Sequence, residues 1–158
     1  MPCVACFETS PLLSDTTVIG DLSAEIFVDS SPISAGLELT DCDLMCVLLD
    51  VDEQGRAWNL YSPGQFLLRA SYRNRSTSRE PLVPGQITKL VFFGAVTANT
   101  FLRGHRIRVL LCSSWFPTYA RNLQNGKSEH ESADATPARI SIHHGSKYPS
   151  QITLPVLR

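Results

Sequence analysis

No apolar run in this chain approaches the roughly 20 residues that a membrane-crossing helix requires. The opening segment Met1-Pro2-Cys3-Val4-Ala5-Cys6-Phe7 lacks the leading Lys or Arg, and the length, of a secretory signal. Charge of either sign is scarce. With 14 Lys and Arg against 15 Asp and Glu, the formal net charge is -1, which offers no overall attraction to nucleic acid or an anionic membrane. Helical periodicity is missing as well, since no long stretch repeats apolar residues at i, i+3, i+4 and i+7. Nor is there a G-x-S-x-G pentapeptide, the strand-to-helix elbow on which an α/β-type serine hydrolase exposes its nucleophile. These absences leave the compartment open, with a lean towards the cytoplasm.

What is present suits a compact β protein. The 158 residues are 43% hydrophobic and 18% charged, enough to build a core without disulfide or metal staples and consistent with one domain over residues 1–158. Ten Pro and nine Gly fall mostly between apolar segments, as turns between strands do. Strands are expected over residues 22–28, 44–51, 57–61, 65–73, 87–93, 106–111, 139–144 and 151–156. The 44–51 run is apolar almost throughout, the pattern of a central strand covered on both faces. In 106–111, Ile107, Val109 and Leu111 alternate with Arg106 and Arg108, the period-2 signature of a half-buried strand. Pro155 should place the last strand on an edge or end it. Single helical turns are expected near residues 11–14 and 116–125, and a mobile polar loop over 127–136. Strands without helical crossovers predict an all-β, two-sheet β-sandwich or jelly roll.

Candidate chemistry is sparse. Cys3-x-x-Cys6 and Cys42-x-x-x-Cys46 imitate a zinc site, but extended residues four apart span about 13 Å. Buried, unreactive thiols, with Cys112 as the fifth, explain them better. Asp50-x-Asp52-x-Gln54-Gly55 imitates a calcium loop, yet its twelfth position is Tyr61, so a hairpin turn with Gly55 at positive φ is expected. Arg69, Arg73, Arg75 and Arg79 around Tyr72 form a basic run, read as a solvated strand end. Asn74-Arg75-Ser76 fits a glycosylation acceptor in form only. His143-His144-Gly145 could hold a metal with Asp41 or Asp43, but adjacent strand residues face opposite sides, so turn capping is expected. None of His105, His130, His143 and His144 has an evident Ser or Cys partner. No metal and no cofactor are expected.

One ordered set of blocks is more specific. Asp43-Leu44-Met45-Cys46-Val47-Leu48-Leu49-Asp50-Val51-Asp52 is followed by Gly55-Arg56-Ala57-Trp58-Asn59-Leu60 and Leu68-Arg69-Ala70-Ser71-Tyr72-Arg73. Leu82-Val83-Pro84-Gly85, Asn99 to Arg108 with its Gly104-His105, and Ser113-Ser114-Trp115-Phe116-Pro117-Thr118-Tyr119-Ala120-Arg121-Asn122-Leu123 continue it. The ending His144-Gly145-Ser146-Lys147-Tyr148-Pro149-Ser150 with Leu154-Pro155-Val156 completes the order. From about residue 7 to 157 this resembles the C-terminal domain of the cocaine esterase and X-Pro dipeptidyl-peptidase (CocE/NonD) group of serine hydrolases.

The resemblance implies a jelly-roll β-sandwich of the galactose-binding-domain-like kind. It would pack on an α/β-hydrolase catalytic domain that holds the Ser, Asp and His triad. None of that family's catalytic residues maps onto this chain, and Met1 stands only a few residues before the match begins. The catalytic domain is therefore expected to be absent from this chain, and the chain to be no enzyme alone. Trp115, Phe116, Pro117 and Tyr119 are the candidate interdomain contact, because aromatic residues bury large area with few lost rotamers. Arg103, Arg121 and Asn122 are expected to brace loops. An orphaned interface could drive self-association. The alternative is a carbohydrate-binding β-sandwich module, with Trp58, Trp115 or Tyr148 as the platform.

Overall fold

The computed structural model describes residues 4–33, 36–62, 65–74 and 77–157. Its strands are β1 (Val4–Glu8), β2 (Thr16–Pro32), β3 (Asp43–Val51), β4 (Ala57–Asn59) and β5 (Leu67–Arg69). They continue with β6 (Thr88–Phe101), β7 (Arg106–Cys112), β8 (Ala138–His143) and β9 (Gln151–Thr153). Every pairing is antiparallel. One sheet runs β1-β7-β3-β4 with β5 also on β3, and the other runs β6-β2-β8 with β9 also on β2. The all-β, two-sheet sandwich expected from the strand spacing is what the chain forms.

Alternation explains which side chains meet between the sheets. On β2, Val18, Leu22, Ala24, Ile26 and Val28 point inward, facing Leu44, Cys46 and Leu48 of β3 and Leu111 of β7. The predicted alternation of β7 holds: Ile107, Val109 and Leu111 join this core, while Arg108 turns outward to Glu8, 2.6 Å away. β3 is buried along its whole length, as its apolar run implied. Its even-numbered residues fill the sandwich. Met45, Val47, Leu49 and Val51 form a second cluster on the opposite face, beneath Leu67, Leu110, Cys112, Trp115 and Tyr119. Each of these fully buried aliphatic side chains contributes about 1.5–3 kcal/mol relative to exposure.

Several elements depart from the sequence reading. β2 and β6 extend well past 22–28 and 87–93; in β6 the inward positions Thr97 and Asn99 are polar, and in β2 Gly20 and Asp21 interrupt the apolar alternation, which hides the strand signal. Gly94, at φ 93°, is an extra residue opposite the Leu22/Ser23 step, a bulge that lets one long ladder continue. β1 was not expected as a strand at all. β5 stops at Arg69, and Ala70–Tyr72 close a single 3-10 turn, the one helical element among the described residues. Residues 11–14 and 116–125 carry bends and turns instead of helix. β9 ends at Thr153; the Pro155 carbonyl still accepts from the Ile19 amide at 3.0 Å, so the proline ends the strand without losing contact with β2.

The two long sides of the sandwich differ. On one, the chain between β4 and β5 closes the gap to β6: Phe66 stacks its ring 5.8 Å from those of Tyr61 and Phe92. Thr97 Oγ1 donates to the Leu60 carbonyl at 3.1 Å, and Asn99 Nδ2 to Asp50 Oδ2 at 3.3 Å, tying the sheets together. On the other side β1 faces β8 across an open apolar groove.

Candidate interdomain surface

The segment after β7 lies over the outer face of the β3 sheet, and its four candidate residues divide between two roles. Trp115 and Tyr119 are partly buried and pack on Met45, Val47, Leu49 and Val51. Phe116, 71% exposed, and Pro117 project outward across a cis peptide bond. The Tyr119 amide donates to the Trp115 carbonyl at 3.2 Å, so the two inward rings flank the tip.

A polar network holds this segment down. Asp43, at the start of β3, receives Arg69 Nε at 2.8 Å and Nη2 at 3.1 Å, and Asn122 Nδ2 at 2.9 Å. Arg69 also donates to both oxygens of Glu129 at 3.0 Å and to the Ala120 carbonyl at 3.3 Å. The Asp43 carboxylate, acting against the cost of burial and helped by Glu129, holds the Arg69 guanidinium above its ordinary value. Beside it, Asp41 is buried and accepts from the Cys42 and Ser71 amides, Ser71 Oγ and Arg79 Nη2. Thr40 Oγ1 donates to the Gln124 carbonyl at 3.0 Å. Gly126 at φ 72° passes so close to Leu39 that an added Cβ would lie 2.8 Å from the Leu39 Cβ.

The basic run is therefore no solvated strand end. Arg69 and Arg79 are spent on acidic partners, and Arg73 donates to the Ala70 and Glu80 carbonyls. Arg75 and Ser76, and with them the acceptor pattern, lie outside the described residues. Residues 127–136, expected as a mobile loop, are stitched to the body. Glu129 meets Arg69, the Lys127 carbonyl accepts from Arg79 at 3.0 Å, and the Thr136 amide donates to the Leu123 carbonyl at 2.8 Å. Asn122 braces its loop as expected, through Asp43 and the Gln124 amide, and the Arg103 amide donates to Asp15.

The motifs that imitated chemistry resolve into structure. Cys42 and Cys46 are buried free thiols; burial pushes Cys46 up to about 12 and Cys42 further, so neither is a thiolate at neutral pH. Cys6 is exposed on β1, and Cys3 lies outside the described residues. Gly55 adopts φ 82° in the β3–β4 hairpin. Asp52 Oδ1 accepts from the Gln54 and Arg56 amides, and Oδ2 from Arg56 Nε at 2.7 Å. Desolvation alone would raise the Asp52 carboxyl, yet these Arg56 and Gln54 bonds hold it below the usual value.

Two histidine–carboxylate pairs were not anticipated. His105 Nδ1 lies 2.8 Å from Asp50 Oδ1, and His143 Nε2 lies 2.6 Å from Asp29 Oδ2. Neither pairing was legible, since the partners stand 55 and 114 residues apart. His143 is thus a paired strand residue and no turn cap, while His144 packs edge-on to Phe7, 5.8 Å away. Two hydroxyls bond to the Asp29–His143 pair but not to its imidazole: Ser31 Oγ donates to Asp29, and Ser150 Oγ to the His143 backbone carbonyl rather than its ring. The three candidate platform rings lie on separate surfaces. Trp58 is half-exposed at the β4 edge under Arg56, Trp115 covers the β3 sheet, and Tyr148 packs against Phe27 and His143.

The model of the X-Pro dipeptidyl-peptidase C-terminal non-catalytic domain matches residues 2–153. The cocaine esterase of Rhodococcus sp. (strain MB1 Bresler) is 33% identical over 157 residues, which are 98% of this chain and 26% of that protein. An aminopeptidase from a marine sediment Thaumarchaeota archaeon superposes with a TM-score of 0.84 at 25% identity, covering 100% of this chain and 26% of the other. An α-amino acid ester hydrolase gives a TM-score of 0.84 at 25% identity, with 99% and 26% covered. The chain spans about a quarter of the length of each of these relatives.

Proposed function

The chain belongs to the X-Pro dipeptidyl-peptidase C-terminal non-catalytic domain family, and from that premise we propose that it is a packing module for an α/β-hydrolase core. The observation that carries this reading is coverage: the match takes in nearly all of this chain and only a quarter of each relative. The jelly-roll winding and galactose-binding kinship implied by the sequence blocks belong to the same proposal. In it, residues 1–158 are a single module, and the hydrolytic chemistry, with its substrate, resides in the partner.

The tip at Phe116 and Pro117 is the proposed contact. Its base is already ordered by Trp115, Tyr119 and the Asp43 network. Docking therefore sacrifices little conformational freedom, the condition under which an exposed ring contributes most to association. Fusing this chain in place of the C-terminal domain of the Rhodococcus cocaine esterase tests the reading. The chimera should hydrolyse a chromogenic ester while the chain alone does not, and Phe116→Asp should lower the chimera's melting temperature but not that of the free chain. Hydrolysis by the free chain, abolished by changing one Ser, would overturn the proposal. Oligosaccharide titration is expected to leave the Trp fluorescence of the chain unchanged.

A further inference from the structure

The open side of the sandwich is built as if a strand were missing from it. Two adjoining cavities of about 210 and 570 Å3 run between β1 on one side and β8, continued by His144 and β9, on the other, sharing Phe7, Leu111, Ile142 and His144 in their walls. The lining is mostly apolar, with Ile26, Val109 and Ile152 at the floor. Both strands that flank it are edges: among the described residues β1 pairs only with β7, and β8 only with β2. Each presents backbone groups with no strand opposite; on β8 the Ala138 amide is capped by Gln124 Oε1 at 3.0 Å. Exposed edges are commonly blunted by Pro or Lys, yet Val4–Glu8 and Ala138–His143 contain neither. The titratable side chains in the walls are Arg139, His144 and Cys112; burial keeps the Cys112 thiol protonated, so Arg139 supplies the fixed charge.

We propose that this groove seats an extended segment of the hydrolase core, added as a strand beside β1 or β8, with alternate apolar side chains in the groove and a carboxylate near Arg139. The inference rests on the packing-module reading above and adds where, and in what conformation, the core is held. Two observations select this occupant. The family is described as a C-terminal domain, so in relatives four times this length the remaining polypeptide stands ahead of β1, the strand that forms one wall. The Arg139 guanidinium at the rim favours an acidic segment over a second copy of this chain, whose own rim repeats that charge.

Hydrogen exchange on the esterase chimera and on the free chain tests this. Amides of residues 4–8 and 138–143 should exchange at least about tenfold more slowly in the chimera. The surface change Arg139→Glu should reduce that protection while leaving the free chain's melting temperature unaltered. A chimera that is assembled and active, yet whose two edges exchange as in the free chain, would sink the groove proposal and spare the packing reading. A chimera whose module unfolds independently of the core would count against both. Edge protection in the free chain that rises with its concentration would assign the groove to a second copy and overturn the inference.

Discussion

The side of the sandwich closed by Phe66 and the side left open beneath Phe7 share the same two sheets but are completed by different means. On the closed side, Phe66 is 1% exposed between Tyr61 and Phe92, and hydrogen bonds cross from Leu60 and Asp50 to β6. On the open side, Phe7 remains 38% exposed and, among the described residues, no strand spans β1 to β8. Stability is thus concentrated where the chain covers its own core, and the uncovered edge is free to serve association.

Mutation can break this contrast. Phe66→Ala should cost about 3–5 kcal/mol in chemical denaturation, because its neighbours cannot collapse into the cavity; a loss below about 1 kcal/mol would mean that the closed side is not the keystone. The thiols supply a second contrast. Cys46, whose carbonyl accepts from Tyr61 and whose amide donates to the Phe66 carbonyl, keeps its proton when folded up to about pH 12. Above 9.0, the ordinary thiol value, the unfolded chain releases that proton and the folded chain does not, so stability falls as pH rises. The slope should be about 1.4 kcal/mol per pH unit for each of Cys42 and Cys46. Cys112 and Tyr61, also raised by burial, steepen the fall further; denaturation midpoints from pH 9 upward would follow it, Cys46→Ala removing one thiol's share of the slope and Cys6→Ser on the open side leaving it intact.

Smaller effects sharpen the comparison. Tyr61→Phe removes the 2.6 Å bond to the Cys46 carbonyl and should cost about 1 kcal/mol. Phe7→Lys, in the open wall, should stay within about 0.5 kcal/mol of the parent chain in the same assay. A larger loss from Phe7→Lys than from Tyr61→Phe would reverse the assignment of the two sides.

Legibility in the sequence followed locality. The continuous run of β3 and the alternation of Ile107, Val109 and Leu111 with Arg106 and Arg108 are short-range patterns, and both were realised. β1 was overlooked because five residues carry too little periodicity to separate a strand from a loose terminus. Trp115, Phe116, Pro117 and Tyr119 read as one aromatic cluster; that Trp115 and Tyr119 face inward while Phe116 projects depends on the outer face of β3, some 70 residues earlier. The arginines looked solvated because Asp43 and Glu129 stand far from Arg69 along the chain.

Fold class, family and the covered central strand were settled by the sequence alone, since alternation and block order act between neighbours on one chain. Which arginine meets which carboxylate, which of four aromatic-loop residues is buried, and which side of the sandwich stays open were decided only when the sheets packed. Those outcomes depend on side chains brought together from distant positions, and one-dimensional order does not encode their separations.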